Sequence, residues 1–190
     1  MDRDKITDEK LILDYIKGDD EAFTELVNRY IKPVYNFIYR FCRNKSDTEE
    51  AVQESFVKLW KNIRKFKRNE KFKVWFYSIA RNTAIDFLRK RKNIPFSEFE
   101  NEEGENVLEN TYRSEEPDAY EEFEKFENKE IIEGLLENLP VLYKEVLFLY
   151  YNEELTLEET SKILKKPLNT IKSLHRRGLM LLRKRLSATK

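Results

Sequence analysis

Residues 169–177 read Asn-Thr-Ile-Lys-Ser-Leu-His-Arg-Arg. At helical spacing Asn169, Thr170, Lys172, Ser173, Arg176 and Arg177 share an outward face, while Ile171, Leu174, Leu181 and Leu182 fall on the opposite, packing face. Lys and Arg neutralise phosphates, and an Arg fork grips guanine. Thr and Ser donate short hydrogen bonds to phosphates or bases. The chemistry on offer is recognition of duplex nucleic acid. Upstream, Thr156-x-x-Glu159 is a capping-box pattern that opens a short helix to Leu164, and Lys165-Lys166-Pro167 then breaks the chain. A helix, a tight break and a basic helix have helix-turn-helix spacing. The alternative for the same residues is an amphipathic hairpin whose basic face is merely solvated.

A second group lies in the N-terminal half. Residues 47–60, DTEEAVQESFVKLW, set Glu50, Gln53 and Glu54 beside Val52, Phe56, Leu59 and Trp60. An acidic-polar ridge next to aromatics suits protein docking, and a solvated face over a core fits it equally. The basic stretch 64–71, RKFKRNEK, precedes Phe72, Trp75, Phe76 and Tyr77, and the segment ends Arg89-Lys90-Arg91-Lys92. Basic residues interleaved with aromatics suit single-stranded nucleic acid, whose bases stack on aromatic faces. The competing reading puts at least two of Phe72, Trp75 and Phe76 in the core and assigns the terminal basic cluster to the helix dipole.

No catalytic constellation accompanies these groups. His175 and Cys42 are the one His and one Cys, too few for a Cys/His zinc site or an intrachain disulfide, and their places in different blocks count against a Cys–His dyad. Cys42 reads as a small buried hydrophobe and His175 as a surface or half-buried side chain. Neither GxxxxGK[ST] nor GxGxxG occurs. The expectation is a non-enzyme with no cofactor and no metal. No apolar run approaches the ~20 residues that cross a bilayer, and the charged start MDRDKITDEK has no signal-peptide pattern. A cytoplasmic setting follows as an expectation.

The elements that must position these residues read as helices. Phe23, Leu26, Val27, Tyr30, Val34, Phe37, Ile38 and Phe41 recur at three and four, predicting one long helix over 21–42, with Pro33 as a kink or boundary. Ser46-x-x-Glu49 predicts a cap for a second helix to Ile63. A loop over 64–71 and a helix over 72–92 follow. Pro117 and Pro140 stand where helices start, predicting helices over 117–136 and from 140 to 150 or 151, then the pair around 165–167. No segment requires a strand, and four Gly and five Pro in 190 residues argue against a turn-rich β fold. The fold class is all-α: two small helical domains, 1–92 and 117–190, joined by a linker over 93–116.

Charge is balanced overall, with 36 basic and 36 acidic residues, and strongly segregated. Residues 1–92 carry net +7, residues 93–130 net −11 and residues 131–190 net +4, so two basic blocks flank an acidic one. Basic blocks are the footprint expected of a polyanion partner. The linker is opposite in charge to its neighbours, which predicts a compact free form with the linker on a basic face.

Three stretches together carry a resemblance. Residues 47–60 resemble region 2.2 of the bacterial RNA polymerase sigma-70 family, residues 72–92 (FKVWFYSIARNTAIDFLRKRK) resemble regions 2.3 and 2.4, and residues 139–186 resemble region 4. Their order and spacing match the compact extracytoplasmic-function (ECF) group over about residues 8–92 and 117–186. The resemblance implies a promoter-specificity subunit that binds core polymerase and starts transcription of a stress- or envelope-related regulon. It implies that Glu50, Gln53, Glu54 and Phe56, supported by Trp60, meet the polymerase clamp. It assigns Trp75, Tyr77, Arg81, Asn82 and Asp86 to the melted −10 strand, with Phe66 and Lys67 lining a pocket for a flipped base. Asn169, Thr170, Lys172, Ser173, Arg176 and Arg177 would read the −35 duplex. The acidic linker would thread polymerase channels built for nucleic acid, and an anti-sigma factor is an expected partner. Three positions depart from the pattern: Leu174 stands where many relatives carry Arg, His175 at a usually apolar position, and Lys165 where a turn Gly is frequent.

The rival reading is a stand-alone helix-turn-helix regulator, which leaves residues 47–92 unexplained. A helical adaptor that binds only protein would show no salt-dependent binding to nucleic acid. Gel-shift titration of the pure protein on duplex promoter DNA separates the regulator from the sigma factor: tight specific binding is expected of a regulator, and weak or no binding without core polymerase of a sigma factor.

Overall fold

The computed structural model describes residues 6–67, 69–92 and 139–188. The chain divides into two compact units, Met1–Phe96 with Glu158–Lys165 and Ser97–Leu157 with Lys166–Lys190. Every regular element among the described residues is helical. The linker over 93–116, the helix expected over 117–136 and the domain boundaries at 92 and 117 lie outside the described residues or at their edge.

Among the described residues of the first unit, helices α1 to α4, between Asp8 and Lys92, form around an aromatic core. Helix α1, Asp8–Ile16, has no counterpart in the sequence expectation. Thr7 caps it, its hydroxyl accepting from the Lys10 amide at 3.3 Å, and Asp8 and Glu9 in the first turn suit the helix dipole. It buries only Leu11 and Ile12, so tertiary polar contacts fix it. Arg29 Nη1 donates to the Ile6 carbonyl at 2.7 Å and to Asp8 Oδ1 at 2.9 Å, and the Tyr30 hydroxyl donates to Asp8 Oδ2. Burial lowers the Arg29 pKa, but its hydrogen bonds to Glu25 and Asp8 outweigh that and hold it above the ordinary value.

Helix α2, Asp20–Cys42, is the long amphipathic helix expected, capped by Asp19. Leu26, Tyr30, Val34, Phe37, Ile38 and Phe41 are its buried face, and this packing carries the helix through Pro33 without a break despite the missing amide. It ends in the left-handed turn of Arg43, φ 54°. Helix α3, Lys45–Asn62, is capped by Asn44, not by Ser46: the Asn44 side chain accepts from the Asp47 amide at 2.8 Å. Ser46 already lies inside the first turn. One 3₁₀ turn, Ile63–Lys65, follows. Helix α4, Phe72–Lys92, has the expected bounds, and its first amide donates to Glu9 Oε1 at 3.0 Å, a cap supplied by α1.

Phe37, Phe72, Phe76 and Tyr77 are fully buried. Edge-on contacts tie this core together, Tyr30 and Phe72 at 5.2 Å, Phe37 and Tyr77 at 5.1 Å, Phe56 and Phe76 at 5.1 Å between ring centroids. Such pairs add roughly 0.5–1.5 kcal/mol each beyond the area they bury. Buried Ser55 and Thr83 satisfy their hydroxyls on carbonyls one turn back, Ala51 and Ile79. Cys42 is buried and unbridged.

Farther along the chain, α5 spans Val141–Leu147 and runs on as a π turn, Phe148–Asn152. Helix α6 spans Leu157–Leu164, opening directly after Thr156. Lys165 takes φ 54°, the conformation that favours Gly, so its departure from the frequent turn residue is real and strained. Helix α7 spans Leu168–Ala188 and packs on α5. A Cβ at Gly178 would stand 3.2 Å from Leu147 Cδ1 and 3.5 Å from Tyr143 Cδ1, so the two helices approach closely there. Gly178→Val should therefore destabilise the α5–α7 packing by about 1–3 kcal/mol, measured by urea unfolding.

Candidate polymerase and nucleic-acid interfaces

Helix α3 has a continuous outer stripe. Glu50, Gln53, Val57 and Trp60 are all exposed at spacings of three and four, which sets them on one face. Trp60 is 54% exposed and Val57 46%, unusual for large apolar side chains. Glu50 pairs with Arg91 at 2.9 Å, and Arg91 also meets Asp47 at 2.7 Å. Glu54 pairs with Lys58 at 2.9 Å. The solvent-accessible Glu50 and Glu54 pairs are worth about 0–1 kcal/mol each, so they yield readily to a partner's cations. Phe56 differs from the expectation. It is half-buried with its ring on Phe76, so it supports the stripe from inside. Val57 is the residue the sequence reading passed over; its signal is an apolar side chain in register with Gln53 and Trp60.

On α4 the outward residues are Trp75, Asn82, Asp86 and Arg89. Phe66 leans on Trp75 at 5.3 Å and on Phe72 at 6.1 Å between centroids, forming an aromatic wall with exposed Lys67 next to it in sequence. Two expected contact residues face inward. Tyr77 is fully buried against Phe37, and Arg81 is only 4% exposed. The register that puts Phe76 and Ala84 in the core takes Tyr77 and Arg81 with them, so they set the helix in place from its inner side. Phe72 and Phe76 are core, as expected of at least two of the three aromatics there, and Trp75 is half-buried.

On α7, Asn169, Lys172 and Arg176 are exposed, and Thr170, Ser173 and Arg177 are half-buried, all on the face expected. Ile171, Leu174 and Leu182 are buried opposite, with Leu181 half-buried. Burial of Leu174 explains its type: an Arg there would enter the packing. His175 is half-buried, its Nε2 3.0 Å from the Tyr151 hydroxyl and its ring 4.7 Å from that of Tyr150, which anchors α7 to the π turn. No group of His, Cys, Asp and Glu among the described residues could hold a metal ion.

These surfaces, one acidic-apolar, one aromatic and polar, one basic, coincide with two family matches. The Sigma-70 region 2 model matches residues 26–94 and the Sigma-70, region 4 model matches residues 135–184. The ECF RNA polymerase sigma factor SigW of Bacillus subtilis is 34% identical over 90% of this chain and 91% of its own. The chain belongs to the ECF sigma factors of the sigma-70 family. The ECF RNA polymerase sigma-E factor of Haemophilus influenzae is 30% identical over 90% of both chains. In fold the protein resembles CnrH, solved with the cytosolic domain of CnrY, with a TM-score of 0.66 at 20% identity over 96% of this chain and 99% of that one. RpoE of Bartonella quintana, solved with the anti-sigma factor NepR, gives 0.63 at 20% identity over 88% and 98%. As an ECF sigma factor the protein is a promoter-specificity subunit of RNA polymerase and a transcription initiation factor. A stand-alone regulator is not favoured, since region 2 is present.

The two classes of α4 residue should separate experimentally. Tyr77→Ala should lower folding stability by about 3–5 kcal/mol, as loss of a buried ring does. Asn82→Ala and Asp86→Ala should leave the thermal midpoint within a degree or two and reduce promoter opening, read by permanganate reactivity of the −10 thymines.

Proposed function

We propose that the three outward faces divide the work of initiation. The outer stripe of α3, with Glu50, Gln53, Glu54 and Trp60 and now Val57, docks on core polymerase. Trp75, Asn82 and Asp86 on α4, with Phe66 and Lys67 before it, take the melted −10 strand, whose unstacked bases need aromatic faces and polar edges. Asn169, Thr170, Lys172, Ser173, Arg176 and Arg177 read the −35 duplex. The observation that carries this reading is the outward stripe of α3: exposed Val57 and Trp60 flanked by weakly paired carboxylates are what a protein-binding face needs and a solvated face does not.

The domain limits proposed are 1–92, 93–116 and 117–190. The linker's negative charge suits a path through polymerase lined for nucleic acid, and joining two modest DNA modules raises the effective concentration of the second. An anti-sigma factor is the proposed regulator, by analogy with the NepR complex of RpoE. The regulon is proposed to be stress- or envelope-related. The protein has no catalytic role of its own, and cytoplasmic residence fits a chain in which no described helix is long and apolar enough to cross a membrane.

Core bacterial polymerase, the pure protein and fragmented genomic DNA from its source should yield discrete new transcripts. Gln53→Ala/Glu54→Ala should abolish them by removing core binding. Lys172→Ala/Arg176→Ala should keep core binding and weaken −35-dependent transcription, with a salt dependence shallower by about two phosphate contacts.

A further inference from the structure

We propose that Tyr15 is a positioning residue for polymerase docking: it holds the Trp60 indole in place on the outer face of α3. The proposal rests on the reading of that face as the docking surface. Tyr15 itself lies on α1, ahead of the residues 26–94 that match the region 2 model.

The Trp60 indole Nε1–H donates to the Tyr15 hydroxyl at 2.7 Å. Tyr15 is in turn held by Phe23 of α2, with ring centroids 5.0 Å apart and planes 34° from one another. Side chains from two other helices, Tyr15 directly and Phe23 behind it, thus hold one exposed indole. The hydrogen bond is solvent-exposed, and such a bond adds little to folding stability because water replaces it when it breaks. Its consequence is for binding. A large aromatic at the centre of an interface loses rotamer freedom on docking, and a side chain already held in one rotamer loses less. The bond also leaves the indole with its one polar group satisfied, so the ring offers apolar surface without an unpaired donor to bury. Ile16, the last residue of α1, is exposed as well, so apolar surface is present at this end of α1 as it is on α3.

Tyr15→Phe keeps the ring and its packing on Phe23 and removes only the hydroxyl. The affinity for core polymerase, titrated with end-labelled protein, should fall about threefold to tenfold, the worth of one net hydrogen bond. The thermal midpoint should not move. With Trp75→Phe as background, Trp60 is the only tryptophan of the two in the chain, and its steady-state fluorescence anisotropy should fall on Tyr15→Phe. In a Trp60→Ala background Tyr15→Phe should cost nothing further. Unchanged affinity in Tyr15→Phe, unchanged anisotropy, or the same loss with and without Trp60 would each overturn the proposal. Gln53→Ala/Glu54→Ala measured in parallel separates the two levels. If that double variant binds core polymerase as well as wild type, the α3 reading fails and the Tyr15 proposal with it. If it binds poorly while Tyr15→Phe binds normally, only the Tyr15 proposal fails.

Discussion

The rotational setting of α4 is the constraint on which the first unit depends. One side of this helix must bury Phe72, Phe76, Tyr77, Ala84 and Leu88, and the other must offer Trp75, Asn82 and Asp86. A helix with a residue every 100° cannot satisfy the first demand without fixing the second. Burying a ring is worth roughly 1.5–3 kcal/mol, so the core register outweighs any local preference of the polar residues. These outward residues are positioned by what lies behind them. The Glu9 carboxylate adds an axial constraint, since it satisfies the Phe72 amide at the helix start.

The same logic distributes charge. Carboxylates line the α3 face, where Asp47 and Glu50 meet Arg91 from the end of α4. Basic residues dominate α7 and the stretch before α4. The face assigned to protein and the faces assigned to DNA are therefore chemically distinct within a chain of zero net charge. Steering by such fields is long-range and salt-dependent, whereas the apolar and aromatic groups at each face act only at contact.

Much of this was legible in the sequence. The bounds of α2 and α4 follow from unbroken helical periodicity, and the outward polar and basic face of α7 from alternation of basic and aliphatic positions. What was not legible depends on distant partners. Helix α1 is nine residues long and buries only two side chains; its fixtures are Arg29, Tyr30 and the start of α4, 21 to 63 residues away. Tyr77 and Arg81 look outward by type and are buried by register. Asn44 and Ser46 are equally good caps in isolation, and the left-handed turn at Arg43 selects Asn44. Val57 is invisible to a reading that equates apolar with buried.

The division of labour between α3 and α4 is the central claim, and hydroxyl-radical footprinting of the full-length protein tests it most directly. Addition of core polymerase should protect Val57 and Trp60 while leaving Phe66 and Trp75 reactive. Subsequent addition of promoter DNA should protect Phe66 and Trp75, with Tyr77 silent throughout. Protection of Phe66 and Trp75 by polymerase alone, or of Val57 and Trp60 only when DNA is added, would contradict the account.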